Sequence, residues 1–209
     1  FNIINSGSQF TENPRFILSH PQIFKKANYA TTLLNSNEDV KINDIYIAEN
    51  KKYYVCGRSV DSVGNYIGFV AKISESGLLE WRKTTEVTAP SGEATYLEFT
   101  NILVEGSDIY AVGINKPNVS VLDAYNPDIV FVKFQEDSTG LNASVSQQRA
   151  YAGISGSTRS DTVTGIKKLT NNRYVICGHT NTNSSNPLDA FVIVIDNTGT
   201  FVTKRKIAS

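Results

Sequence analysis

The sequence predicts an all-β fold, and three observations carry that prediction. Val40 to Trp81, Phe99 to Gly140 and Val163 to Lys204 align as one repeat. Each stretch contains two hairpin patterns, apolar and β-branched runs broken by a turn rich in Gly or Asn. A glycine closes the second run of each unit, at Gly57, Gly113 and Gly178. Alternating apolar and aromatic runs suit a pleated, half-buried surface. Self-similarity at this length marks a supersecondary unit that buries its faces only against its neighbours.

The elements follow in order within each unit. The first half reads VKINDIYIAENKKYYVCG, FTNILVEGSDIYAVG and VTGIKKLTNNRYVICG, giving strands a and b. Their turns fall at Glu49-Asn50-Lys51, Glu105-Gly106-Ser107 and Asn171-Asn172-Arg173, where Asn and Gly tolerate the positive φ of a tight hairpin. The second half reads YIGFVAKISESGLLEWRK, DIVFVKFQEDSTGLNASV and DAFVIVIDNTGTFVTKRK, giving strands c and d around Gly77, Gly140 and Gly199. Phe16 to Ser19 and Gln22 to Asn28 read as strands c and d of a preceding or degenerate unit. The expected division is therefore 1–30 for that half unit and 31–90, 91–150 and 151–209 for three full ones.

Four antiparallel strands per unit suit a linear stack or the blades of a β-propeller, whose blades run to about 40 to 50 residues. These units are longer, so loops take up the surplus. The b–c connections (58–65, 114–127 and 179–188) and the d–a connections (86–95 and 147–161) are expected to be long, and the a–b and c–d turns short. In an up-and-down blade the long connections share one end. About three and a half blades are then present, an incomplete or partial propeller. Phe1 in place of an initiator Met, with no Met in 209 residues, places the expected natural N-terminus elsewhere.

The units resemble the four-stranded blade repeats of exported bacterial propellers, quinoprotein-like and kelch-like, that pair Val-x-Gly with a later D-x-F-V-x-K-x-D-x-x-G-x-x-x-W stretch. The resemblance covers nearly the whole chain from residue 40. Its closest local form is Ala71 to Trp81, which matches the tryptophan-docking pattern at Ala71, Ser76 (for Thr), Gly77 and Trp81 and departs from it at Ile73. The other two units lack the tryptophan, and no residue points to a quinone cofactor.

Composition narrows the function classes. Lys plus Arg and Asp plus Glu number 20 each, so no global charge draws the chain to nucleic acid. No run approaches the roughly 18 apolar residues of a membrane span. Lys204-Arg205-Lys206 reads as a charged edge strand that discourages sheet-to-sheet pairing. Cys56 and Cys177 precede the repeat glycine two units apart and are expected to be free, buried thiols filling the slot of Val112. Loops rich in Asn, Ser and Thr, such as 181–186, suit an exported surface, so the expected location is extracellular or cell-surface, including a bacterial outer membrane or periplasm.

Chemistry-bearing motifs are absent. His20 and His179 are the only histidines, which rules out a multi-His zinc site. There is no calcium loop, phosphate loop or nucleophile elbow. No catalytic, metal-ligating or cofactor-binding residue is assigned, and no cofactor is expected. Ligand contacts concentrate on loops held by a rigid scaffold. The candidates for a binding face are Arg58, Asn115, His179 and Asn181 as hydrogen-bonding groups, with Tyr66 and Tyr125 as aromatic faces. The expected function is a non-enzymatic β-propeller binding or scaffold module that recognises a protein partner or a glycan through its loop-rich face. Two alternatives stay open: a structural subunit whose ring is completed by another chain or by further blades, and a propeller-type glycoside hydrolase or lyase.

Overall fold

The computed structural model describes residues 39–49, 51–62, 64–85, 95–117, 128–151, 160–181 and 189–207. The strands read at Phe16 to Ser19 and Gln22 to Asn28 lie outside the described residues. Among the described residues the fold is all-β: β1 (Val40–Ile47), β2 (Tyr53–Val60), β3 (Tyr66–Ile73), β4 (Leu79–Thr85), β5 (Thr95–Glu105), β6 (Asp108–Pro117), β7 (Asp128–Glu136), β8 (Ala143–Tyr151), β9 (Ser160–Lys168), β10 (Arg173–Asn181), β11 (Asp189–Asp196) and β12 (Phe201–Ile207).

These strands form three antiparallel meanders, β1 to β4, β5 to β8 and β9 to β12, each strand paired with the next. The tight turns adopt the left-handed backbone where predicted, with positive φ at Gly77, Gly106, Gly140, Gly199, Asn171 and Asn172. In the first hairpin Lys51 takes that conformation. A single parallel bridge, Tyr66 to Tyr96, joins β3 to β5 and fuses the first two meanders into one sheet.

The middle strands are apolar on both faces because both faces are covered. On β6, Ile109 and Ala111 join Tyr54, Cys56, Val70 and Trp81 of the first meander in one buried cluster. Tyr110 and Val112, pointing the other way, join Tyr174, Ile176, Phe191 and Ile193 of the third in a second cluster. At each junction the first strand of the following meander lies across the preceding one, β5 on β1 to β3 and β9 on β5 to β7.

The repeat glycines have a specific cause. Strand a is bulged at the same register in every meander. A Cβ at Gly57, Gly113 or Gly178 would stand 1.8, 1.9 or 2.0 Å from the carbonyl oxygen of Lys41, Glu98 or Thr162. Only Gly fits against that bulge. Because pairing resumes beyond the bulge, strand b continues past the glycine to Val60, Pro117 and Asn181. This corrects the expectation that loops begin there: the first b–c connection is only Asp61 to Asn65.

A second correction concerns the thiols. Both are free, but Cys56 is buried and Cys177 exposed. They occupy one repeat position, and the reason for the difference is the neighbour. The second meander covers Cys56, whereas Cys177 lies on the third meander's outer face.

Candidate functional site

Strand ends and the bulge together build a polar cluster where β2 ends and β3 and β5 begin. The β3–β5 bridge sets Tyr66 against Tyr96, ring centroids 4.7 Å apart. Arg58, one residue past the repeat glycine, lies over both rings, its guanidinium carbon 4.4 Å from the Tyr66 centroid and 5.8 Å from that of Tyr96. Such stacking suits a planar, delocalised cation.

Glu98 joins this cluster, its side chain 9% exposed. Lys41 Nζ donates to its Oε1 at 2.8 Å, and Asn43 Nδ2 donates to the same oxygen at 2.8 Å. The Tyr96 hydroxyl donates to Oε2. Burial pushes this carboxyl up, but the hydrogen bonds from Lys41, Tyr96 and Asn43 outweigh it and hold the group below its ordinary range. Burial and the bond to Glu98 push the Tyr96 phenol well above its usual range, so it stays a donor.

Arg58 is the unusual member. Its side chain is 18% exposed, with Nε 3.8 Å from Glu98 Oε2 and Nη1 4.0 Å from Asp39 Oδ2, beyond hydrogen-bond distance. Buried Nε and Nη1 therefore have no hydrogen-bond acceptor among the described residues. Buried donors normally find one. A carboxylate, sulfate or sugar hydroxyl brought to this guanidinium would supply it, with the tyrosine rings as flanking walls.

The structure brings Arg58 and Tyr66 together and sets the other candidates apart. Asn115 is buried within β6, facing the first meander beside Leu97, and its Oδ1 makes no hydrogen bond among the described residues. His179 is half-buried on the outer face of β10, opposite Ala190 and Thr162. Asn181 ends β10 in register with Ser160. Tyr125 lies outside the described residues. Lys41, Asn43, Tyr96 and Glu98 were not legible as site residues. One signal was there: Glu98 interrupts an apolar strand beside the bulge.

A second polar cluster lies at the opposite end of the same junction. Glu136 of β7 accepts from Lys72 Nζ at 2.8 Å, Trp81 Nε1 at 2.9 Å and the Tyr54 hydroxyl at 3.1 Å. Lys72 also donates to the Gly140 carbonyl at 3.0 Å, and Glu80 holds Lys52. Trp81 is thus docked onto the second meander. At the next junction, Tyr174 donates to Glu105 at 2.5 Å and meets the Tyr110 hydroxyl at 2.9 Å, while Lys168 pairs with Glu105 at 2.8 Å. Among the described residues, no three His, Cys, Asp or Glu side chains gather as a metal set. Compared with known proteins, the chain matches no family model and no curated protein.

Proposed function

We propose that the three meanders are blades of a β-propeller and that the chain is a non-enzymatic binding module of an exported or cell-surface protein. It takes a protein partner or a glycan at the end where strands b and c meet. The radial reading is supported by the up-and-down order within each unit and by the way each strand a lies across the preceding meander. The binding reading rests on one observation above all: Arg58, stacked on Tyr66 and Tyr96, holds buried Nε and Nη1 donors with no hydrogen-bond acceptor among the described residues. Charge-assisted bonds to an incoming oxygen would be strong there. Paired aromatic rings with one polar group are the mixture that recognises sugars and peptide carboxylates.

The test is an array of neutral and acidic glycans and of acidic peptides, probed with the chain and with Arg58→Ala. Binding that falls at least about tenfold in the variant, with its melting temperature retained, supports the reading. Equal binding by both proteins sinks it.

A further inference from the structure

Two gaps flank the Arg58 guanidinium, each with a donor on one side and a carboxylate oxygen on the other. Nε lies 3.8 Å from Glu98 Oε2, and Nη1 lies 4.0 Å from Asp39 Oδ2. Both distances are too long for a direct hydrogen bond. They come close to the spacing of roughly 4 to 5 Å at which one oxygen atom, bonded to both sides at about 2.8 Å, bridges two polar groups.

The acceptors have room for such a bridge. A carboxylate offers about four acceptor positions. On Glu98, Lys41 and Asn43 take two at Oε1 and Tyr96 takes one at Oε2. Among the described residues the other position on Oε2 has no donor, and this is the oxygen that faces Nε. Asp39 is 70% exposed, so its side of the cluster is the one open to solvent.

These groups select the charge of what enters. An anionic oxygen accepting from Nε or Nη1 would sit within about 4 Å of Glu98 or Asp39 and be repelled by it. Nor can one carboxylate take both nitrogens side by side, because Nε and Nη1 lie on different edges of the planar guanidinium, each paired with Nη2. A hydroxyl meets neither obstacle. Its one oxygen accepts from the guanidinium while its proton goes to the facing carboxylate. The charges of Arg58, Lys41, Glu98 and Asp39, two positive and two negative, stay balanced.

Resting on the binding reading above, we infer that the ligand is a neutral glycan. One of its sugar rings places a hydroxyl between Arg58 Nη1 and Asp39 Oδ2 and a second between Arg58 Nε and Glu98 Oε2. Asp39 and Glu98 are then the specificity-determining acceptors, which turn away uronic acids, sulfated sugars and peptide carboxylates. Tyr66 and Tyr96, both half-buried, supply the apolar surface beside the ring. Because Nε and Nη1 are buried, entry requires Asp39 to swing aside, a rotation that an exposed side chain makes readily.

The experiment is a glycan array carrying neutral oligosaccharides beside their uronic-acid and sulfated counterparts, with acidic peptides. Binders are then titrated calorimetrically against the parent chain, Arg58→Ala and Asp39→Ala. The expected ligand is neutral, held at least about tenfold tighter than its acidic counterparts and weakened at least about tenfold by Asp39→Ala, as for loss of a charged hydrogen-bond partner. Asp39→Ala should melt as the parent does, since the bond from Val60 N reaches the main-chain oxygen of residue 39, which the variant keeps. The sign of its effect separates the ligand classes, because for an acidic ligand the variant removes a repelling charge and strengthens binding. An acidic ligand lost in Arg58→Ala and tightened in Asp39→Ala overturns this inference and leaves the proposed function standing. A neutral glycan lost in Arg58→Ala and unchanged in Asp39→Ala has the same outcome. An array on which no neutral glycan binds also overturns it. Equal binding by the parent and Arg58→Ala removes the proposed function and this inference together.

Discussion

Glu98 and Glu136 are both acidic residues of the second meander that receive a lysine and an aromatic donor, yet the two clusters differ in what is left over. Around Glu136, Lys72 reaches Glu136 and Gly140, while Trp81 and Tyr54 reach the carboxylate. Around Glu98, Lys41, Asn43 and Tyr96 are matched to the carboxylate, but two buried nitrogens of Arg58 have no hydrogen-bond acceptor among the described residues. A satisfied buried network holds one geometry. A network with donors left over can hold a ligand. The difference separates a latch between meanders from a candidate receptor on the same junction.

Glu136→Ala should have the largest effect on stability. It leaves Lys72, whose side chain is 7% exposed, as a buried cation with only the longer contact to Glu80, 3.6 Å away, among the described carboxylates. Stranding one partner of a buried pair costs roughly 3–5 kcal/mol. Urea unfolding measures it, and a loss under about 1 kcal/mol would show that the cluster is no latch. Glu98→Ala should cost less, roughly 1–2 kcal/mol. The reason is that Lys41 is 55% exposed and returns to water once its partner is gone. Equal losses for the two variants would erase the distinction between the clusters.

Acid should sharpen it further. The Glu98 carboxyl sits below its ordinary range in the folded chain. A depressed carboxyl adds stability that is present above its unfolded value, near 4.3, and is lost as pH falls through the lower folded value. The stability gap between the parent chain and Glu98→Gln should therefore be steady at neutral pH and shrink below about pH 4. A gap that stays constant to pH 3 would show that the carboxylate charge contributes nothing.

Turns and strand order were readable in the sequence because Gly77, Gly106, Gly140 and Gly199 sit where only a left-handed backbone turns the chain. The recurring Gly57, Gly113 and Gly178 were readable as a repeat but not in their role. A bulge is a feature of the partner strand, and nothing in a run such as Val-Cys-Gly announces that a carbonyl presses against it. That is why the residues after these glycines were read as loop and lie in strands. The Glu98 cluster was hidden for a related reason. Its members sit at positions 41, 43, 58, 66, 96 and 98, and only the β3–β5 bridge and the bulge bring them together. Cys56 and Cys177 carried identical local signals, and their different exposure comes from the meander that covers one and not the other.

Arg58→Ala should have the smallest effect on folding and the largest contrast between folding and binding. Removing the guanidinium loses stacking on Tyr66 and Tyr96, worth about 0.5–1 kcal/mol at a partly exposed site. It also removes two buried donors that have no hydrogen-bond acceptor among the described residues, each of which costs on the order of 1 kcal/mol while it remains. The two effects oppose, so the net change should stay within about 1 kcal/mol of zero. Arg58→Lys separates charge from shape, because an ammonium keeps the positive charge and loses the flat fork that lies along the rings. If the idle donors serve a ligand oxygen, Arg58→Lys binds as poorly as Arg58→Ala although its charge is unchanged. Full binding by Arg58→Lys would reduce the site to a simple positive charge, no different in kind from Lys41 beside it.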